Sequence, residues 1–274
     1  MRVAIIGGYG SMGRWFAEFF LKHGDQVVIS GRNYNKAMAL RRKIGVEVAK
    51  TNAEAARSAD LVIISVMPGR FEPVVKEIAP QLTGEQRVID IASVKEEPVR
   101  IMHKHLKGIT VLGTHPMFGP SAEPEGQNFV LTPTNPKEKR FAGEFGKFLK
   151  SNGFNVAVIG PKKHDDMVGF MLSLTHFVGF VTADTWKELN IGKFTGLSST
   201  SFRFLKSFVD SIMGSSPELY SYLQMNVASA SGAEEVFIKQ ARVWAGLAKR
   251  RKRDEIIRRM RKLNKYLKEL DSYI

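Results

Sequence analysis

Residues 1–16 have the sequence MRVAIIGGYGSMGRWF, in which a short apolar run leads directly into the glycine pattern G-x-G-x-x-G. Helically spaced phenylalanines follow, and a second apolar run lies at 27–29. This order of strand, tight turn, helix and strand is typical of a dinucleotide-binding fold. In that fold Gly8 would make the turn, Gly10 would let a pyrophosphate approach the backbone, and Gly13 would bring the helix against the strand. The free N–H groups at the helix start would hold the phosphates.

The glycine loop and the end of the second strand are the expected cofactor site. The loop residues that we expect to contact the cofactor are Gly8, Tyr9, Gly10, Ser11, Met12 and Gly13. An acidic residue at the end of the second strand usually binds the ribose 2′-hydroxyl of NAD. This strand ends in Ser30-Gly-Arg32, and Asp25 lies at its opposite end. A guanidinium can bind a 2′-phosphate by charge-assisted hydrogen bonds, so the sequence favours NADP over NAD, with Ser30 and Arg32 as ligands.

The composition limits the class of protein. A chain of 274 residues, 43% of them hydrophobic, can form one large or two medium domains. It contains no cysteine, which excludes disulfides, thiolate metal sites and cysteine nucleophiles. The first residues do not resemble a signal peptide, and we expect no apolar stretch that reaches the roughly 18–20 residues of a membrane span. We therefore expect a soluble, cytoplasmic protein without a membrane partner.

Positive charge is concentrated near the C-terminus. The formal net charge is +14, and residues 249–268 contain eleven of the lysines and arginines. The apolar residues of this region recur at helical spacing: Ile256, Met260, Leu263, Leu267 and Leu270. The pattern predicts an amphipathic helix that docks or dimerises through its apolar face and leaves its basic face in water. No aromatic interleaving or nucleic-acid motif is present, so nucleic-acid binding is disfavoured.

The pattern of elements changes near residue 160. Before it, short apolar runs alternate with helical patterns, which is typical of a parallel sheet covered by helices on both faces. Strands are predicted at 2–6, 26–30, 46–49, 61–66, 87–91, 109–113 and 155–159. Helices are predicted between them at 11–23, 34–43, 52–58, 70–79, 95–105 and 137–150.

From Pro161 onward the periodicity is helical. Residues 163–190 are predicted to form one long apolar helix that is buried on most sides, and a loop is predicted at 192–201. Further helices are predicted at 202–213, 217–229 and 233–270. The sequence thus predicts an α/β protein, with a Rossmann-type domain over 1–160 followed by an all-helical dimerisation domain over 161–274.

Two polar segments follow neighbouring strands of the predicted sheet. The fifth strand leads into Asp90-Ile-Ala-Ser93-Val-Lys95, and the sixth into Gly113-Thr-His115-Pro-Met-Phe-Gly-Pro120. Ligands of such sheets bind beyond the carboxyl ends of the strands. A histidine at a strand end is well placed as an acid/base, and Ser93 could hydrogen-bond the ring of His115 and fix its tautomer.

These two segments resemble the prephenate dehydrogenase family, particularly its archaeal members. The resemblance extends over almost the whole chain. His164-Asp165 and His176 resemble two further histidines of the family, and Pro217-Glu-Leu-Tyr220 resembles its dimerisation helix.

The resemblance implies oxidative decarboxylation of prephenate to 4-hydroxyphenylpyruvate, a step in tyrosine biosynthesis. His115 would take the proton of the C4 hydroxyl as hydride leaves, and Ser93 would hold His115 and the nicotinamide side. His176 and Lys95 would contact the anionic substrate. The reaction requires no metal, and a homodimer is implied.

One position departs from the family pattern and leaves alternatives open. Ser211 stands where the family usually has an arginine for a substrate carboxylate. Arg203 or Lys206, one to two turns earlier, could replace it, and Arg203 is our candidate. The alternatives to prephenate dehydrogenase among enzymes are arogenate dehydrogenase and another hydroxyacid dehydrogenase of the same fold. A non-catalytic binding protein is the alternative outside enzymes.

Overall fold

The computed structural model describes residues 1–214 and 216–270, and the first half of the chain forms one sheet. Its strands are β1 (Arg2–Ile6), β2 (Gln26–Ser30), β3 (Glu47–Val48), β4 (Leu61–Ile64), β5 (Arg87–Asp90), β6 (Thr110–Pro116), β7 (Asn128–Thr132) and β8 (Asn155–Val158). The strand order is β3-β2-β1-β4-β5-β6-β7-β8. All neighbours are parallel except β6 and β7. The carboxyl ends of β1, β4, β5 and β6 therefore lie at the same edge.

Six helices cover the faces of this sheet within the described residues. They are α1 (Ser11–Lys22), α2 (Tyr34–Ile44), α3 (Asn52–Arg57), α4 (Phe71–Ile78), α5 (Glu96–His105) and α6 (Pro136–Ser151). The predicted order of these elements is confirmed. The sheet is parallel as predicted except at β7, a strand that was not predicted and that returns antiparallel to β6.

The two faces of the sheet are packed differently. Phenylalanines dominate one side, where Phe16, Phe20 and Phe129 are almost wholly buried. Small and branched residues such as Ala55, Val75 and Ile78 fill the other side. Burying each large apolar side chain stabilises the fold by about 1.5–3 kcal/mol, so the strand edge that carries the polar segments has a rigid support.

The second half of the chain is helical. It contains α7 (Pro161–Val168), a π-helical turn (Gly169–Ser173), α8 (Leu174–Glu188), a 3-10 segment (Ile191–Leu197), α9 (Thr200–Met213), α10 (Pro217–Asn226), α11 (Ala228–Lys249) and α12 (Arg253–Leu270). The segment predicted as a loop at 192–201 is largely 3-10 helix. The predicted helix over 233–270 is two helices, separated by a turn in which Arg251 has a φ of 53°.

The long helix formed by α7, the π turn and α8 corrects two expectations. By length and composition, Pro161–Glu188 could cross a membrane, contrary to the sequence analysis. Only 28% of the most apolar stretch of this helix is buried. The expectation that the helix is buried on most sides is therefore also wrong within a single chain. Its outer side has no covering element within the described residues, whereas its inner side packs on α5, α9 and α11. The absence of a membrane partner stays a prediction.

Helix α12 is the most exposed element of the described chain. None of its residues is buried, and Met260, Leu263 and Leu267 expose 59%, 43% and 57% of their surface. It contacts α11, where Arg259 stacks over Trp244. The predicted apolar stripe is therefore present, and the residues that the structure describes leave most of it exposed.

Candidate active site

The glycine loop leaves β1 in a tight turn and enters α1. The residue with positive φ is Gly7, at 86°, so the turn is made there and not at Gly8 as predicted. A Cβ on Gly8 would lie 2.5 Å from the side chain of Ile29, and one on Gly13 would lie 2.5 Å from the carbonyl oxygen of Gly7. Both glycines are therefore required by close packing. Gly10 is the N-cap of α1 and no side chain caps the helix there, which leaves the N–H groups of the helix start for an anion.

A cavity joins this loop to the ends of β2 and β4. Its lining includes Gly10, Gly31, Arg32 and Arg70. The ring of Tyr9 covers Gly31, and its hydroxyl accepts a hydrogen bond of 3.2 Å from the backbone N–H of Asn33. The lining of glycine, open helix N–H groups and guanidinium fits a dinucleotide phosphate chain.

The predicted cofactor residues differ in their access to this cavity. Arg32 is exposed and lines it, as expected. Ser30 is wholly buried, and its hydroxyl donates to Asn52 Oδ1 over 2.9 Å. The structure therefore does not place Ser30 as a phosphate ligand, because its hydroxyl already serves the packing between β2 and α3. Ser11 is exposed in the first turn of α1, whereas Met12 packs against the core.

Four polar residues of the cavity were not predicted from the sequence. They are Asn52, Ser65, Arg70 and Glu77, and Asn52 donates to Glu77 over 2.7 Å. Arg70 follows β4 in the 3-10 turn Pro68–Arg70. Its position after a strand that ends at the ligand-binding edge was the available signal.

Beneath the strand edge lies a buried ion pair. Lys95 and Asp90 are both 0% exposed, and the Lys95 ammonium donates to the Asp90 carboxylate and to the backbone carbonyl of Thr114. Burial lowers the pKa of Lys95 and raises that of Asp90, and their mutual attraction opposes both shifts. The ammonium is thus occupied below the surface, so the placement does not support the expected contact between Lys95 and a substrate.

His115 lies within β6, one residue before its end, and is 5% exposed. Its Nδ1 lies 2.9 Å from Nε2 of His164, whose Nδ1 lies 2.7 Å from Asp165 Oδ1. Burial holds the pKa of His115 well below its usual value, and the electrostatic interactions with His164 and Lys95 act in the same direction. A neutral imidazole results, which is the state that a general base requires.

Ser93 was expected to hydrogen-bond the ring of His115. In the described part of the chain the ring instead pairs with His164, which lies 49 positions later in the sequence. Ser93 is half-buried in the turn between β5 and α5, and its catalytic role stays a prediction.

His176 lies in the helical half, 4% exposed and stacked on Tyr220 with ring centroids 3.9 Å apart. Burial lowers its pKa to about 4. Within the described residues its Nδ1 has no hydrogen-bond partner, and neither has the hydroxyl of buried Ser173. Gln224 donates to the Ser173 carbonyl over 2.9 Å. Unpartnered buried polar atoms are costly, and a polar ligand would satisfy them, which fits the predicted substrate contact of His176.

Arg203, the candidate for a substrate carboxylate, and Ser211, which stands where the family usually has an arginine, both lie on α9. Arg203 is exposed there, and the Ser211 hydroxyl donates to the carbonyl of Phe208 over 2.7 Å. Neither is joined to His115 by a hydrogen bond within the described residues. The assignment of Arg203 therefore stays a prediction.

Two contacts hold the helical half against the sheet half beside His115. The Asp165 carboxylate accepts the backbone N–H groups of Lys95 and Glu96, at 2.7 and 2.9 Å. The Tyr222 hydroxyl donates to Glu97 over 2.8 Å. Because Lys95 and Glu96 begin α5, Asp165 on α7 caps the N-terminal end of that helix. The site is thus built at the junction of the two halves.

Comparison with known families agrees with this architecture. The family model described as "Prephenate dehydrogenase, nucleotide-binding domain" matches residues 16–144, and "Prephenate dehydrogenase, dimerization domain" matches residues 160–262. The chain belongs to the prephenate dehydrogenase family. The predicted family and the two-part fold class are thereby confirmed, and the first half is a nucleotide-binding domain of pyridine-nucleotide dehydrogenases.

Relatives of this family carry different substrate and cofactor names. A probable arogenate/prephenate dehydrogenase of Methanocaldococcus jannaschii is 34% identical over 97% of this chain and 61% of its own length. A probable prephenate dehydrogenase (NADP(+)) of Schizosaccharomyces pombe is 26% identical over 69% of this chain and 44% of its own length. This chain therefore spans less than two thirds of these relatives.

A solved structure shares the fold over almost the full chain. Prephenate dehydrogenase from A. aeolicus, in complex with hydroxyphenyl propionate and NAD+, has a TM-score of 0.81 at 22% identity and covers 98% of both chains. At that identity the likeness concerns the fold.

Proposed function

We propose that this chain catalyses the NADP-dependent oxidative decarboxylation of prephenate to 4-hydroxyphenylpyruvate, in the cytoplasm, as a step of tyrosine biosynthesis. The observation that carries the proposal is His115. It is a buried histidine with a lowered pKa at the carboxyl edge of a nucleotide-binding sheet, and its Nδ1 is occupied by His164. Its Nε2 is then the nitrogen that can act on a substrate.

The proposed chemistry requires one base and no metal. His115 takes the proton of the C4 hydroxyl as hydride leaves C4, and the ring carboxylate departs as carbon dioxide while the ring becomes aromatic. The phenolate oxygen then regains the proton from His115, which gives 4-hydroxyphenylpyruvate and restores the neutral base. The cofactor supplies the hydride acceptor when it is bound. Because aromatisation drives the reaction, a neutral imidazole is a sufficient base.

The helical half supports the binding of an anionic substrate. The unpartnered Nδ1 of His176 and hydroxyl of Ser173 lie on one turn of the long helix, beside Gln224. These groups would hydrogen-bond the polar side chain of the substrate. Arg203 is our candidate for a carboxylate, because an exposed guanidinium on α9 can form a bidentate pair with it.

The cofactor cavity supports NADP. Arg32 lines it at the end of β2, and the residues there include no acid that would repel a 2′-phosphate from that strand end. Glu77, on α4, also lines the cavity, but it accepts a hydrogen bond from Asn52. Arg32 would form charge-assisted hydrogen bonds with the 2′-phosphate.

A steady-state assay of reduced nicotinamide formation tests the proposal. Prephenate and arogenate are each combined with NADP and with NAD, and the organic product is identified. We expect the highest kcat/KM with prephenate and NADP, and 4-hydroxyphenylpyruvate as product. A higher kcat/KM with arogenate would assign the family's other substrate, and no turnover of either would refute the proposal.

A further inference from the structure

The hydrogen-bond chain from Asp165 through His164 to His115 determines where each proton lies. Both Asp165 oxygens accept backbone N–H groups, from Lys95 and Glu96. The carboxylate is therefore an acceptor toward the ring as well, and the Nδ1 of His164, 2.7 Å away, must carry the proton.

When the one ring proton of His164 lies on Nδ1 and is donated to Asp165, its Nε2 is bare. That atom lies 2.9 Å from Nδ1 of His115, so it accepts a proton from His115 Nδ1. The Nε2 of His115 is then left with a lone pair. The opposite tautomer of His115 would place two bare ring nitrogens 2.9 Å apart, without a hydrogen bond inside a buried site, which is costly.

We infer that His164 and Asp165 are positioning residues that fix His115 in the tautomer with hydrogen on Nδ1 and a free lone pair on Nε2. The inference rests on the proposed function only in naming the proton that the lone pair accepts. When His115 takes that proton at Nε2, its Nδ1–H continues to donate to His164, and the Asp165 carboxylate faces the resulting positive charge through one imidazole. No atom is gained or lost beyond the substrate proton.

The hydrogen bonds from Asp165 through His164 to His115 also couple the two halves of the molecule. His164 and Asp165 belong to α7, whereas His115 belongs to β6, and Asp165 also caps α5. Correct docking of the helical half is thus required for the base to have its active tautomer. The charged groups near His115 in this arrangement are Lys95, Asp90 and Asp165.

Nitrogen-15 NMR of histidine side chains tests the inference on the full chain without ligand, near neutral pH. The signals of His115 are assigned by their loss in the His115→Asn variant. We expect wild-type His115 to be the Nδ1–H tautomer. Finding the proton on Nε2 would overturn the inference, and this reading needs no substrate, so it stands apart from the proposed function.

Two variants at His164 supply the second measurement. His164→Phe removes the acceptor, so we expect loss of the single tautomer and a fall in kcat of roughly 10²-fold or more, with an unchanged Kd for NADP. His164→Gln can return a carbonyl acceptor, and we expect it to recover part of both the tautomer and kcat. Wild-type kcat and tautomer in His164→Phe would contradict the inference.

A matched control exists outside the site. His105 also pairs with a carboxylate, Glu72, at 2.8 Å. His105→Gln removes a similar pair between α5 and α4, and we expect neither the His115 tautomer nor kcat to change. A change in both as large as that of His164→Phe would contradict the inference. If the tautomer is as inferred but prephenate is not turned over, only the proposed function fails.

Discussion

Lys95 and Asp90 form an ion pair in which both side chains are wholly buried, and the lysine ammonium also holds the backbone carbonyl of the residue before His115. The pair therefore supports β6, the strand that carries His115. Breaking such a pair leaves one buried charge without compensation, which typically costs about 3–5 kcal/mol.

We expect Lys95→Met to lower the free energy of unfolding by about 3–5 kcal/mol, as measured by denaturant titration. Removing both charges in Lys95→Met/Asp90→Leu should recover much of the loss. Glu144→Gln, which breaks the exposed pair with Arg87, is the control and should have little effect. Equal effects of the buried and exposed substitutions would show that the pair is not structural.

The cofactor preference depends on Arg32. Loss of a charge-assisted hydrogen bond costs about 1.5–3 kcal/mol, so Arg32→Ala should raise the Kd for NADP by about 10- to 100-fold and leave that for NAD nearly unchanged. Fluorescence titration with both cofactors measures this. Arg42→Ala, at an exposed position in the last turn of α2, is the matched control. Equal losses for both cofactors would reject the assignment of Arg32 to the 2′-phosphate.

Acid should destabilise the protein through its buried histidines. The pKa of His176 is lowered from 6.5 to about 4, and that of His115 is also lowered. Between about pH 6.5 and 4 the unfolded chain therefore binds more protons than the native one, and stability falls as the pH falls. Denaturant titrations across this range should show the loss. His176→Phe, which can keep a ring against Tyr220, should make the pH dependence shallower. An unchanged dependence would contradict the role of His176.

The apolar stripe of α12 should lie in a dimer interface. Met260, Leu263 and Leu267 are exposed in the single chain, and the dimerization-domain model matches the chain up to residue 262, within α12. We expect Leu263→Ser/Leu267→Ser to shift the protein from dimer toward monomer in sedimentation velocity. Reversing the charge of Arg250, Arg251 and Arg253 should alter fold and activity little, because exposed charges contribute little each. An unchanged dimer in the leucine variant would refute this interface.

Much of the sheet was predictable because its signals are local. The glycine loop, the apolar runs and the helix caps each specify neighbouring residues, so β1, α1 and β2 agree with prediction within one residue. Strand β7 was missed because its short run, Asn128–Thr132, gains its strand character from pairing with β6. The long helix over Pro161–Glu188 was predicted to be buried on most sides because its sequence is apolar. Hydropathy alone does not distinguish a helix face that the same chain covers from a face that stays exposed.

The site was predictable as a set of residues but not as a set of contacts. His115 was found from its position after a strand and from the family resemblance. The contact between His115 and His164 was not predicted, because 49 positions separate the two residues in the sequence. Only the docking of α7 on the sheet brings them together. Lys95 and Ser30 were taken for ligands, although their polar atoms are occupied by Asp90 and Asn52.

We propose that His115 is the base in prephenate oxidation. The turnover of prephenate and NADP by the wild type and by the His115→Asn variant tests this role directly. Asparagine can keep the hydrogen bond at the Nδ1 position without a basic nitrogen at Nε2. We predict that kcat falls by roughly 10²–10⁴-fold while the Kd for NADP and the unfolding midpoint stay close to those of the wild type. A His115→Asn variant with near wild-type kcat would contradict the account.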